Sequence, residues 1–118
     1  MLLWWLADDR ALSTTARDAI ADGANEVVVS AATAWEIAIK RALGKLDAPD
    51  DLAGVVGEND FRALPIDFSH AADAGALPPH HHDPFDRLLV AQAQNEGLTL
   101  VTGEVRIGAY AVDVMAAA

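Results

Sequence analysis

The sequence predicts an α/β domain with a mostly parallel sheet. Short β-branched runs such as Glu26-Val27-Val28-Val29-Ser30 and Leu98-Thr99-Leu100-Val101-Thr102 alternate with helix-like stretches, as β-α-β units do. The first run is apolar through its middle, the pattern of a strand buried on both faces. The connections are short, which favours right-handed crossovers.

In chain order, residues 2–6 read as a first helix whose N-terminus is cut short. Ser13 is an N-cap for a second helix through about Asp22, and Gly23 ends it; a serine hydroxyl satisfies a free N–H of the first turn, and glycine tolerates the left-handed stop. The strand 26–30 follows, then a helix over 31–43 closed by Gly44. Pro49-Asp50-Asp51 opens a helix that fades at Gly57. Residues 61–66 make a second strand and 69–76 a short helix. Leu77-Pro78-Pro79-His80-His81-His82 is the one clear loop. Asp83 then caps a helix with Pro84 at its first position, continuing over 85–96 until Gly97, a well-marked start and stop. Residues 98–102 form a third strand and 111–115 a last, edge strand.

At 118 residues the chain fits one domain, 1–118. With 53% hydrophobic and 22% charged residues it can build a core, which excludes global disorder. Cysteine is absent, so disulfides and thiolate metal sites are excluded and a cytoplasmic setting is expected. No apolar run reaches the roughly 18 residues of a membrane span. The opening Met1-Leu2-Leu3-Trp4-Trp5-Leu6-Ala7 lacks a basic flank and runs into Asp8-Asp9, unlike a signal peptide. A net charge of −10 opposes non-specific nucleic-acid binding, which depends on Lys/Arg–phosphate contacts. Any nucleic-acid role must rest on a local site.

Three acids sit where a parallel sheet places reactive groups, near the carboxyl ends of strands. Glu36 lies early in the helix after the first strand, Asp86 in the first turn after the histidine loop, and Glu104 two residues beyond Thr102. Each also has a plain structural use. Asp86 favours the helix dipole by about 0.3–1 kcal/mol. Glu36 can pair with Lys40 at i,i+4 for about 0.2–0.5 kcal/mol. Glu104 can be an ordinary loop acid. Gathered together, however, two carboxylates about 4 Å apart repel by about 4 kcal/mol at an effective dielectric of 20, and a hard divalent cation relieves that repulsion. Such an ion can ionise a water and hold a phosphate oxygen. The residues alone therefore point to a metal-dependent phosphoesterase.

The three histidines cannot all face one ion, and helical His-x₃-His spacing is absent. They read as structural or RNA-contacting, with His82 assigned to RNA. Asp83 reads as the helix cap. Ser13, Ser30 and Ser69 with His70 form no Ser/His/Asp pattern, so a serine hydrolase is not expected.

Asp83-Pro84-Phe85-Asp86-Arg87-Leu88-Leu89-Val90-Ala91-Gln92-Ala93, preceded by Leu77-Pro78 and the histidines, strongly resembles the PIN-domain ribonuclease toxins of the VapC type. So do Ser30 through Trp35-Glu36-Ile37 and Leu100-Val101-Thr102-Gly103-Glu104. The similarity covers nearly the whole chain in the family's order. It implies a three-layer α/β/α fold and an Mg²⁺- or Mn²⁺-dependent endoribonuclease, the toxin of a type II toxin–antitoxin system. The implied partners are RNA, a small inhibiting antitoxin and a second copy in a homodimer. On that pattern Asp86 is the principal metal ligand, Glu36 a second ligand or water-orienter, and Glu104 an auxiliary ligand, while water attacks the RNA phosphorus in line. Lys40, Arg41, Lys45 and Arg87, half of the basic residues, would then give RNA phosphates a local landing strip.

Two departures stand out. The fourth acidic position is commonly Asp or Asn and here is Glu104, one methylene longer, which a small shift or a bridging water absorbs. In the family a strand ending in an Asp-Thr pair also precedes the Leu-Leu-Trp-Trp-like helix, and its Asp is the first metal ligand. This chain opens inside that helix, so a start placed a few residues late, or a trimmed chain, is expected. That strand is central to the family's sheet, and without it the neighbouring strands should face a gap.

The competing reading is a catalytically impaired interaction module that binds an antitoxin or dimerises. A phosphatase-like hydrolase lacks a nucleophile motif. The expected antitoxin contact is an arginine laid against Glu36 and Asp86. Trp4, Trp5 and Leu6 would then either line a groove for its helix or pack the core.

Overall fold

Capping side chains decide where the helices begin. In the computed structural model, which describes all 118 residues, α1 (Leu2–Leu6) has no side-chain cap. Each later α-helix has one. Ser13 Oγ accepts from the N–H of Ala16 at the start of α2 (Thr14–Ala21), and Ser30 does the same for α3 (Ala31–Ala42) through Ala32. Asp51 caps α4 (Leu52–Glu58). Asp67 and His70 close a reciprocal capping box on α5 (Phe68–Ala76), a start slightly earlier than the expected 69. Asp83 caps α6 (Pro84–Glu96), which ends at Gly97 with φ +66°, a conformation glycine adopts without a Cβ clash.

The strands are shorter than their sequence runs. β1 (Val28–Ser30) pairs in parallel with β2 (Arg62–Leu64), with Val29 opposite Ala63. β3 (Leu100–Thr102) pairs in parallel with β4 (Val114–Ala116), with Val101 opposite Met115. A 3₁₀ helix over Val105–Ala109 joins them. The two pairs do not share a ladder. The four strands therefore form two separate ribbons. Each strand has a partner on one edge, and two-stranded ribbons are marginal on their own, which accounts for the frayed ends.

The unpaired sides of β1 and β3 border one slot of about 370 Å³, mostly apolar, with Val28 and Val29 on one side and Leu100 and Val101 on the other. Leu89 and Gln92 of α6 line it, and so does Met1.

The core divides with the sheet. One cluster holds Leu12, Ala16 and Ala117, with Trp4 and Trp5 packed against it, and Trp5 also lines the slot. The other cluster holds Val90, Ile107 and Tyr110. Helix α6 spans the division: buried Gln92 bonds Ser30 at the end of β1 and the carbonyl of Pro65 at 3.3 Å, while α6 also packs on β3, α3 and α5. The radius of gyration, 13.8 Å, is close to the roughly 13.5 Å of an ordinary domain this long. No helix is long and apolar enough to cross a membrane.

Candidate active site

Asp86 reaches the site because the start of α6 is fixed twice. Pro84 sets the first turn, and Asp83 Oδ1 accepts the Asp86 N–H at 3.0 Å. Glu104 arrives from the turn after β3, where its N–H donates to Thr102 Oγ1 at 3.0 Å. His81 completes the group from the loop before α6. One ligand atom from each of His81, Asp86 and Glu104 lies within 4.8 Å of the others.

The three differ in charge environment. Burial pushes the Asp86 carboxyl above its ordinary value, because an ion loses its hydration there. The hydrogen bond from His81 opposes the shift and the charge of Asp83 adds to it. Glu104 goes the other way, down to about 2, because Arg106 grips it: Nε lies 2.7 Å from Oε1, Nη2 lies 3.1 Å from Oε2, and the Arg106 N–H also donates to Oε1.

Glu36 stands apart from this convergence. Its Oε2 accepts from Lys40 Nζ at 2.9 Å, the structural pairing weighed for it, and this bond raises the Lys40 pKa. Its charge still reaches the group, adding to the upward shift at Asp86. The link between the two helices is aromatic: Trp35 on α3 and Phe85 on α6 meet edge to face.

The histidine loop is stapled from below. Arg87 Nη1 donates to the carbonyls of Pro78 and His81, both at 3.1 Å, and Nη2 to those of Ala74 and Leu77, both at 2.9 Å. Tyr110, buried in the core, donates its hydroxyl hydrogen to Pro78 O at 2.8 Å and accepts the His81 N–H at 3.0 Å. This corrects the expectation for Arg87. It was expected to face RNA, but its planar fork is spent on main-chain carbonyls that α5 and the loop leave open.

Of the other basic candidates, Lys40 pairs with Glu36 and Arg41 with Asp50. Lys45 and His82 are exposed. Three residues of the site were not singled out from sequence: His81, Tyr110 and Arg106. The signal for Tyr110 was present, since a lone tyrosine in a chain with so few aromatics needs a partner for its hydroxyl once buried.

The sequence matches the PIN domain family over residues 1–113. It is 36% identical over 115 residues to Ribonuclease VapC22 of Mycobacterium tuberculosis, covering 91% of this chain and 84% of that protein. It is 40% identical over 60 residues to Ribonuclease VapC16 of the same organism, covering 48% of this chain and 43% of that protein.

Proposed function

The chain belongs to the PIN-domain family, and on that premise we propose that it is a VapC-type endoribonuclease dependent on Mg²⁺ or Mn²⁺. The observation that carries the reading is the approach of Asp86 and Glu104, with His81, to within 4.8 Å. The donors suit such an ion. Carboxylate oxygens are what hard cations prefer, and Asp86 and Glu104 would supply them. Burial raises the Asp86 pKa by penalising its charged form, a penalty that a cation at the site would relieve.

Asp86 and Glu104 would hold the ion, with Glu36 the further acid on α3. When bound, the ion supplies Lewis acidity, making a water more acidic and neutralising a phosphate oxygen. The chain's own residues orient the reactants. Asp83 fixes the main chain of Asp86, and Trp35 with Phe85 aligns α3 and α6. Lys40 interacts with the charges of Asp83 and Asp86, and with Arg41, Lys45 and His82 it offers RNA phosphates a path to the acids.

The slot between the ribbons supports a further part of the reading. A strand leading into α1 through Met1 would be bordered by β1 and β3, give each its second partner, and add its own acid to the group. The partner reading is an antitoxin and a homodimer in the cytoplasm. An antitoxin arginine would engage Asp86 and Glu36 as Arg106 engages Glu104 here, by a forked, charge-assisted contact.

The test is cleavage of single-stranded RNA with Mn²⁺, by this chain and by one extended upstream with the native codons. Cleavage that EDTA abolishes and Asp86→Asn removes is expected; equal cleavage without metal would overturn the reading. The divided sheet favours one alternative, a PIN-fold module that binds its antitoxin without cutting RNA. Antitoxin binding with no cleavage by either protein would select it.

A further inference from the structure

Among three consecutive histidines, His81 alone is buried, at 5% exposure. Its ring points at Asp86, with Nε2 2.8 Å from Oδ2. The other ring nitrogen, Nδ1, is buried without a partner. This asymmetry assigns the tautomer. An ionised Asp86 only accepts hydrogen bonds, so the hydrogen between the two belongs to Nε2. A second hydrogen on Nδ1 would be a buried donor with nothing to bond, the costlier orphan, so Nδ1 carries a bare lone pair.

The main chain that presents this ring is held from two directions. The His81 N–H donates to Tyr110 Oη and the His81 carbonyl accepts from Arg87 Nη1. Arg87 and Tyr110 also both hold the carbonyl of Pro78. The main chain of Asp86 is fixed through its own N–H by Asp83, which leaves its side-chain torsions free, the terminal one being broad. The contact from His81 Nε2 to Oδ2 restrains them.

We propose that His81 is a positioning residue: its Nε2–H holds Asp86 Oδ2, sets the plane of the carboxylate, and leaves Oδ1 free for the divalent cation. The inference rests on the metal reading given above. It explains why the donor is an imidazole. An arginine or lysine here would also orient the carboxylate but would cancel the negative charge that attracts a cation. A neutral N–H fixes the geometry and leaves the charge in place. Ligating carboxylates are commonly hydrogen-bonded in this way, and loss of such a partner typically costs 10–100-fold in metal affinity.

The test is direct Mn²⁺ binding by calorimetry, with thermal unfolding followed in parallel, on the wild-type chain, His81→Gln, His81→Asn, His81→Leu and Asp86→Asn. The glutamine amide can take the place of Nε2; the asparagine amide is one methylene too short to reach Asp86. His81→Gln is expected within about threefold of wild type, and His81→Asn and His81→Leu about 10–100-fold weaker. If His81→Leu fails to fold, the Gln–Asn pair still decides. Binding by His81→Asn equal to wild type, or by His81→Gln as weak as by His81→Asn, would overturn the positioning role. Asp86→Asn binding Mn²⁺ as tightly as wild type would instead overturn the metal reading, and this inference with it.

Discussion

Trp35 meets Phe85 edge-on, with ring centroids 5.3 Å apart and planes at 79°, and the residue after each ring is an acid, Glu36 and Asp86. The pair fastens α3 to α6 beside both carboxylates. It does so at the surface, where Trp35 is 59% exposed, so little of its value is area burial. An edge-to-face pair contributes about 0.5–1.5 kcal/mol beyond that burial.

Trp35→Ala should therefore lower the unfolding free energy by about 1 kcal/mol, and Trp35→Phe by less. RNA cleavage by Trp35→Ala should fall further than any loss of folded protein explains, because Glu36 and Asp86 lose their common alignment. Urea unfolding and cleavage rates, measured where both variants are fully folded, check this. An unchanged rate would mean that the rings serve stability alone.

Asp86→Asn and Asp83→Asn should separate cleanly. Asparagine caps helices about as well as aspartate, so Asp83→Asn should keep its stability and most of its activity, while Asp83→Ala should cost about 1 kcal/mol. Asp86→Asn should lose cleavage yet stabilise the metal-free protein at neutral pH. Its folded pKa lies above the unfolded value, so the ionised form is penalised in the fold; the penalty is full above the folded pKa and absent below the unfolded one. The advantage of Asp86→Asn should shrink as pH falls. Thermal unfolding of both variants from pH 7 to pH 3 would show it.

Arg87→Lys should lower stability by about 2–3 kcal/mol, on the scale of hydrogen bonds to charged groups. A lysine is a compact point charge and cannot span carbonyls from Ala74 to His81. Amide exchange should rise first across 77–82. A melting temperature unchanged from wild type would contradict the staple.

The loop also marks where the sequence stopped being legible. Five helix starts follow from local chemistry, because a serine or aspartate caps within three residues of itself; Ser13 and Asp83 were read directly as caps, whereas Ser30 was read only as the end of its strand. The Asp67–His70 capping box was missed because the helix reads equally well from Ser69. Three identical histidines in a row carry no periodicity, and what selects His81 is Tyr110, 29 residues away. Arg87 looks like any surface cation until the open carbonyls of α5 are known. Glu36 and Asp86 were placed correctly on their helices, but the Glu36–Lys40 bond depends on side-chain torsions that no spacing rule sets.

Arg106→Ala should tighten Mn²⁺ binding by about two- to fivefold, the worth of an exposed ion pair that the metal no longer displaces. The same variant should return the Glu104 carboxyl from about 2 towards 4.5. Because the folded value is depressed, the Arg106 contact stabilises the fold above pH 4.5 and loses its effect as pH falls through 2. Wild type and Arg106→Ala should thus differ in stability at pH 6 and converge near pH 2. Carbon NMR titration of Glu104 reads the shift directly, and Mn²⁺ affinity unchanged in Arg106→Ala would remove Glu104 from the ligand set.

Two half-empty strand edges facing one slot also bear on colloidal behaviour. An open edge is a template for another chain, and here β1 and β3 each present one. Copies of the protein are kept apart by a net charge of −10, a repulsion that acts at long range only in dilute salt. At physiological ionic strength the screening length is about 8 Å, shorter than any dimension of the molecule. Added salt should therefore favour association of copies through these edges, which light scattering against ionic strength would show.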